Sequence, residues 1–304
     1  MSIAQKSPLK EDPPPPHTFH GVRAPGNFRI FWRAFTRRWT TYMGLVILLA
    51  VFGMALSASF FFPQGPLAMV TRPLLWPGQN LAHPLGSDIL GRDILAGIFY
   101  GSRISLLIGS VATLVATVFG VLIGSMSGYL GGRVDNLLMR LTELIQTIPP
   151  FLFALVIVAI LRPSIRTIVV ALAATSWPQI ARLVRGEFIS MRDREFVQAC
   201  HSVGMGNLRI IFSEILPNAL SPVIVTASIM VATAILAESS LAFLGLGDPN
   251  VMSWGNLIAA GREMLRTAWY ITAIPGVAII LTVLALNLIG DGLNDAMNPH
   301  LKNK

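Results

Sequence analysis

Charge and cysteine are what this sequence has least of. Only 12% of its 304 residues are Asp, Glu, Lys or Arg, against 53% hydrophobic, and the mean hydropathy is +0.64. A soluble domain carries about 25% charged residues, so the shortage excludes an ordinary water-soluble fold and names the bilayer as solvent. The single cysteine, Cys200, excludes an intrachain disulfide and any metal site built from several thiolates. There is no G-x-x-x-x-G-K-[ST] phosphate loop, so if ATP drives this protein another chain binds it. No local signature sets a nucleophile beside a base, and no repeat of fixed period is visible. A secretory signal is missing too. The first 40 residues are polar, with consecutive prolines from Pro13 to Pro16, and the apolar run after them is too long for a signal core and has no small-residue cleavage site. Residues 1–40 read as a cytoplasmic tail, disordered over Met1–Gly26.

What the chain has in place of charge is long uncharged runs. About 20 apolar residues cross a hydrocarbon core. Stretches of that order cover Tyr42–Phe62, Ile104–Leu130, Leu144–Leu161, Ile215–Ala237 and Thr267–Gly290, and an amphipathic lead-in from Arg133 precedes the third. Thr167–Ala181 is a shorter run whose flanking Arg166 and Arg182 can snorkel to the two interfaces, with a bend at Trp177-Pro178. The expected fold is an all-α integral membrane protein with six transmembrane helices. If the N-terminus is cytoplasmic, 16 of the 23 Lys and Arg residues fall in inside segments and 7 in outside ones. The positive-inside rule favours that orientation, with both ends cytoplasmic. The formal charge of +8 then belongs to cytoplasmic loops and not to nucleic-acid binding. The chain divides into a first transmembrane helix at 41–62, an outer loop at 63–102, a helical core at 103–293 and a cytoplasmic C-terminal tail at 294–304. Gly120, Gly124 and Gly128 make a small-residue ridge on the second span, suited to packing inside the bundle or at a subunit interface.

One polar stretch, residues 193–217, interrupts the core between the fourth and fifth spans. Asp193 can cap a helix, with Glu195 in its first turn. Phe196, Ala199, Cys200 and Val203 recur at helical spacing and make an apolar stripe. Gly204 and Gly206 break that helix and permit a left-handed turn. Leu208, Ile211 and Phe212 make a second stripe on a second short helix, and Pro217 bends the chain as it re-enters the membrane. Such an amphipathic helix–turn–helix either docks into a groove on another protein or packs on its own bundle.

The same stretch resembles the cytoplasmic signature loop of ABC importer permeases, written E-A-A-x3-G-x9-I-x-L-P. Gln198, Ala199 and Cys200 take the first block, Gly204 the glycine, and Leu216 and Pro217 the end, with Gln198, Cys200 and Glu214 as departures. The segment His83–Gly109 resembles the His-x-Leu-Gly-Thr-Asp-x-x-Gly-Arg-Asp signature of dipeptide and oligopeptide permeases, carried here by His83, Leu85, Gly86, Asp88, Gly91, Arg92 and Asp93, with Ser87 for threonine. Glu238–Gly247 and Gly290–Lys302 also resemble family segments, the latter with Asn298 for Asp. The resemblance spans Trp32 to Lys302 and is strongest to the second permease of the dipeptide, oligopeptide and nickel group.

That resemblance implies a core of five helices plus one N-terminal helix, and a coupling helix that inserts into a cleft on an ATPase. It implies as partners a homologous permease forming a heterodimer, two ATP-binding subunits that hold ATP and Mg, and a substrate-binding protein. It implies no cofactor or metal in this chain. The expected function is the permease subunit of an ATP-driven importer for peptides or peptide-like solutes in a bacterial inner membrane. The competing reading is a proton-coupled carrier that uses Glu238, the lone carboxylate inside a span; a hydrolase using His83 and Asp88 lacks a placed nucleophile. Of the remaining residues, Glu238 reads as a gating or hydrogen-bonding group. His83, Asp88 and Asp93 read as a structural loop in which Arg92 can pair with an acid. Tyr100, Trp254, Trp269 and Tyr270 read as an interfacial aromatic belt.

Overall fold

The computed structural model describes Phe35 and residues 38–297. The expected disordered tail over Met1–Gly26 and the end of the C-terminal tail lie outside them. The regular structure of the described residues is helical, apart from two isolated β-bridges in the loop after the first helix. The helices are α1 Trp39–Phe61, α2 Ile94–Leu130, α3 Gly132–Thr147, α4 Pro150–Leu161, α5 Ile165–Met191, α6 Glu195–Ser202, α7 Asn207–Leu246, α8 Trp254–Gly261 and α9 Tyr270–Met297. Five of these, α1, α2, α5, α7 and α9, are long and apolar enough to cross a membrane, and α3 with α4 makes a sixth crossing only as a pair bent by 79°.

Several elements depart from the expected bounds. The second span begins at Ile94, so the loop at 63–102 ends where the Asp93 carboxylate accepts the Leu95 N–H and caps the helix. The third span is not one helix from Leu144. Ile148 is extended at φ −89° and ψ 130°, as the residue before a proline must be, and Pro149 and Pro150 start a new helix. The short fourth run is one of the longer helices: α5 continues past Arg182 to Met191 and runs through Pro178 without a break. Half of its apolar window is buried by protein, so its surroundings do not demand the continuous apolar surface that lipid would. Arg182 therefore marks no helix end.

α2 and α5 form the most extensive helix pair, and the glycine ridge is why. A Cβ on Gly120 would stand 2.6 Å from Ile180 Cβ, one on Gly124 2.4 Å from the Ala181 carbonyl, and one on Gly128 2.6 Å from Phe188 Cβ. The ridge is thus spent on packing inside the bundle. α7 and α9 pack on the same frame, and α1 leans on α9 and α2. The outward face of α1 leaves Val46, Leu49, Leu56 and Phe60 exposed, as a lipid-facing stripe requires. Trp254 and Tyr270 are only 0% and 1% exposed, so they are core residues and not members of an aromatic belt. Trp269 stays exposed.

Gly124→Ala should lower the thermal unfolding midpoint in detergent, because overpacking a close helix contact costs about 1–3 kcal/mol. Gly53→Ala should leave it unchanged or raise it slightly, since a Cβ there meets nothing within 4 Å. Equal midpoints for the two variants would refute the α2–α5 seam.

Candidate functional site

The bundle has two decorated ends. At one end lies the polar insert. Arg194, and not Asp193, is the N-cap of α6, and it makes no side-chain cap bond. Glu195 does sit in the first turn. The expected stripe is out of phase with the packing. Val197 is the fully buried residue of α6, in one cluster with Phe188, Ile210, Ile211 and Ile215, while Cys200 is half-buried and Phe196, Ala199 and Val203 are exposed. Gln198 is exposed and its amide donates to the Asp193 carbonyl at 3.1 Å.

The turn itself is as expected at one glycine of the two. Gly204 has φ +79°, a left-handed backbone closed by its N–H to the His201 carbonyl and by the Met205 N–H to the Cys200 carbonyl. Gly206 has φ −70° and sits at the N-cap position of α7. The second limb is not a separate short helix. Asn207 opens α7, and the helix runs unbroken into the membrane. The bend foreseen at Pro217 is replaced by a π-helical segment, Ile210–Ile215, in which the Leu216 N–H reaches back to the Ile211 carbonyl. The wider turn absorbs the hydrogen bond that Pro217 cannot donate. Asn218 Nδ2 donates to the Glu214 carbonyl at 2.7 Å. Ile211 is buried with Ile210 and Ile215, whereas Leu208 is 71% and Phe212 44% exposed, and Leu216 is half-buried beside the exposed Pro217.

At the far end, the loop before α2 folds on itself. Asp88 Oδ1 accepts the Leu90 and Arg92 amides at 2.8 and 2.9 Å. Arg92, expected to pair through its side chain, meets Asp88 through its backbone instead, since its carbonyl also accepts the Asp88 N–H. His83 Nδ1 stands 2.8 Å from Asp93 Oδ2, whose other oxygen caps α2. The three groups therefore share no common centre. Gly86 and Gly91 are held against the loop's own carbonyls: a Cβ at either would fall 2.2 Å from the oxygen of Leu75 or of Thr71. Leu85 packs against the core cluster that holds Trp254 and Tyr270, and the Tyr270 hydroxyl donates to the Ser87 carbonyl at 3.2 Å.

Beside that loop the buried Glu238, 1% exposed, joins three helices. Its Oε1 accepts the Ser253 hydroxyl at 2.7 Å. Ser253 caps α8 by accepting the Asn256 N–H at 3.1 Å. The next residue, Trp254, donates its backbone N–H to Ser105 Oγ at 3.2 Å and its indole N–H to the Ile98 carbonyl at 3.0 Å, both on α2. Asp248 Oδ2 accepts the Ile165 N–H that opens α5, and Asn256 Nδ2 donates to the Asp248 and Val251 carbonyls at 2.7 and 2.8 Å. Ser253, Asp248 and Asn256 do not stand out in the sequence. Their one signal is a polar, proline-containing run, Asp248–Asn256, directly behind a buried carboxylate. The chemistry on offer at this end is positioning: His83, Asp93, Glu238, Ser253, Asp248 and Asn256 are each engaged by another part of the chain, while Asp88 Oδ2 and Arg92 Nε are buried without a hydrogen-bond partner.

Comparison with known proteins agrees with this architecture. The family described as "binding-protein-dependent transport system inner membrane component" matches residues 120–303. The chain is 37% identical over 285 residues to a di/tripeptide transport system permease protein of Pseudomonas aeruginosa, covering 92% of this chain and 94% of that one. It is 37% identical over 308 residues to a dipeptide transport system permease protein of Haemophilus influenzae, covering 99% and 98%. It is 36% identical to a glutathione transport system permease protein of Pectobacterium atrosepticum, covering 92% and 93%. Among solved structures, a chain of the inward-facing MetNI methionine ABC transporter superposes with a TM-score of 0.56 at 16% identity, covering 66% of this chain and 96% of that one; this likeness is one of fold.

Glu238→Ala should destabilise the protein by about 1–3 kcal/mol, because it strands the buried Ser253 hydroxyl. Glu238→Gln keeps an acceptor there and should unfold near the wild-type midpoint. If both variants melt alike in detergent, the Glu238–Ser253 contact is not structural. At the insert, Gly204→Val should strain the left-handed turn by about 1–2 kcal/mol and reduce uptake, while Gly204→Asn should be tolerated. Normal uptake by the valine variant would count against the turn.

Proposed function

Because the chain belongs to the family of binding-protein-dependent transport system inner membrane components, we propose that its polar insert is the handle by which partner ATPases drive the transport of peptides across the inner membrane. The protein is the permease subunit of an ATP-driven importer for peptides or peptide-like solutes, and members of this family work with ATP-binding subunits and a substrate-binding protein. It is a transport component, and ATP hydrolysis lies in partner chains. Those chains bind the ATP and Mg.

The observation that carries the reading is the insert's two-sidedness. Val197, Ile210, Ile211 and Ile215 anchor it on the bundle, and Phe196, Val203, Leu208 and Phe212 are left facing outward. Exposed apolar side chains on an otherwise polar projection call for a protein groove. The residues set toward the ATPase are Gln198, Ala199, Cys200, Gly204, Leu208, Phe212, Leu216 and Pro217. The insert then faces the cytoplasm, the orientation the Lys and Arg distribution favours, and the loop containing His83, Leu85, Gly86, Asp88, Gly91, Arg92 and Asp93 faces the binding protein. A second, homologous permease completes a heterodimer. An open apolar groove of about 600 Å³ between α4, α7, α8 and α9, lined by Phe151, Leu236, Phe243, Leu244 and Ile280 among others, supports that assignment. ATP binding and hydrolysis select between two packings of the paired bundles, and Glu238 holds the outer ends of α7 and α8 together as a gating contact.

Replacing Leu208 and Phe212 together with Asp should weaken ATPase binding by about 2 kcal/mol or more, roughly 30-fold, so that the ATP-binding subunits no longer copurify. Undiminished copurification would place the docking face elsewhere. In vesicles, uptake should stop when ATP is depleted and persist when the proton gradient is collapsed. The opposite pattern would favour the proton-coupled alternative at Glu238.

A further inference from the structure

α7 is covalently continuous with the insert, so any movement of the insert reaches that helix directly. α2 has no such link, yet one of its side chains, Tyr129, bonds to both limbs of the insert's turn. Tyr129 lies in the last turn of α2. Its hydroxyl stands 3.2 Å from His201 Nε2 and donates to Asn207 Oδ1 at 3.3 Å, and its ring stacks on the His201 ring at 6.4 Å between centroids and 17° between planes. His201 is on α6 and Asn207 is the first residue of α7, on opposite sides of Gly204. A phenol both donates and accepts, so a single hydroxyl gathers both limbs of the turn. Arg192, the C-cap of α5 just before the insert, reaches the Gly128 carbonyl, next to Tyr129 on α2, at 3.4 Å. These side chains border a polar cavity of about 390 Å³ at the insert's base.

α2 is also built to move as a rod. Its insert end is bolted to α3 and α5: Arg185 holds Asp135 with two hydrogen bonds of 2.6 and 2.7 Å, and Ser127 of α2 donates to the same carboxylate. The glycine seam keeps α2 from shearing against α5, because no side-chain cushion separates the two backbones. At 1.5 Å per residue α2 is about 55 Å long, and its far end carries Ser105 and Ile98, the two partners of Trp254 next to the Ser253–Glu238 contact.

We propose that Tyr129 is a positioning residue that transmits movement of the coupling turn to α2, making α2 a second transmission rod beside α7. This rests on the reading of the insert as the ATPase-docked element, and adds to it the contact by which the motion leaves the insert. The contacts are polar and at the surface, so their loss alters coupling more than folding.

The test uses the whole complex reconstituted in liposomes with its ATPases and binding protein, and reads solute imported per ATP hydrolysed. Tyr129→Phe keeps the ring and removes the hydroxyl. It should leave the ATPase rate and the unfolding midpoint near wild type and lower the import-to-hydrolysis ratio on the order of threefold to tenfold. His201→Ala should do the same, the double variant should be no worse than the poorer single one, and His201→Gln should recover part of the ratio. A wild-type ratio in Tyr129→Phe would overturn the proposal. So would an equal fall in import and hydrolysis with ATPases lost on purification, since Tyr129 would then serve docking. If the wild-type complex itself imports without ATP, the underlying functional reading fails before any variant is considered.

Discussion

The close approach of α2 and α5 is the contact on which the rest of the molecule is hung. In a bilayer, lipid tails are as apolar as leucine, so helices gain little by burying apolar surface against one another. They gain by fit. Gly120, Gly124 and Gly128 let the α5 backbone come within reach of α2 along more than two turns, and the buried hydroxyls nearby, Ser125 and Thr175, donate to carbonyls of their own helices. Every other span is placed by reference to that pair. α7 packs across both helices, α9 packs on α7, and α1 closes on α9 and α2. α1 is set close to α9 at Gly44, where a Cβ would stand 2.9 Å from the Ala285 carbonyl.

The frame presents different chemistry at its two ends. At the far end the polar groups are sealed. Glu238 accepts the Ser253 hydroxyl, and the Asp88 loop is tied to Tyr270 through the Ser87 carbonyl, beside the buried Trp254 and Ile271. Low dielectric makes such hydrogen bonds strong and makes their loss costly, which suits a joint that holds its geometry. At the insert end the polar groups face water. Tyr129, His201, Asn207 and Arg192 bond at 3.2–3.4 Å at the surface, where each contact is weaker and exchange with water is easy. The two ends thus differ in rigidity, with solvent-exposed contacts at the insert and buried ones around Glu238.

The sequence made the bilayer, the crossing regions, the left-handed Gly204 and the projecting insert legible, because each depends on local chemistry alone: missing charge, small residues at fixed spacing, a glycine between two amphipathic stretches. What stayed hidden depends on neighbours. α5 looked too short because Arg182 and the polar residues around Pro178 break the apolar run, yet a helix wrapped by protein has no need of one. The buried face of α6 was misread by one position. Phe196 and Val197 both fit an apolar stripe, and only the cluster of Phe188, Ile210 and Ile215 beneath decides that Val197 turns inward. Trp254 and Tyr270 sit at membrane boundaries in the sequence and in the core in space. Tyr129–Asn207 and Glu238–Ser253 join residues that no spacing rule connects.

The true phase of α6 is informative about mechanism. A stripe containing Phe196 and Val203 that packed on its own bundle would have made the insert an ordinary surface loop. Because Val197 satisfies the bundle, the other apolar residues are surplus to folding. They stand exposed beside Leu208 and Phe212, and exposed apolar groups on a polar projection mark interaction surfaces. The π segment at Ile210–Ile215 fits the same logic. It sits between the handle and the membrane part of α7, where a wider turn tolerates Pro217 and leaves the helix unbroken. A break there would let the insert swing without moving the span. A regular α-helix would require Pro217 to clash with the preceding turn. The π turn avoids both, and the insert stays continuous with the span of α7.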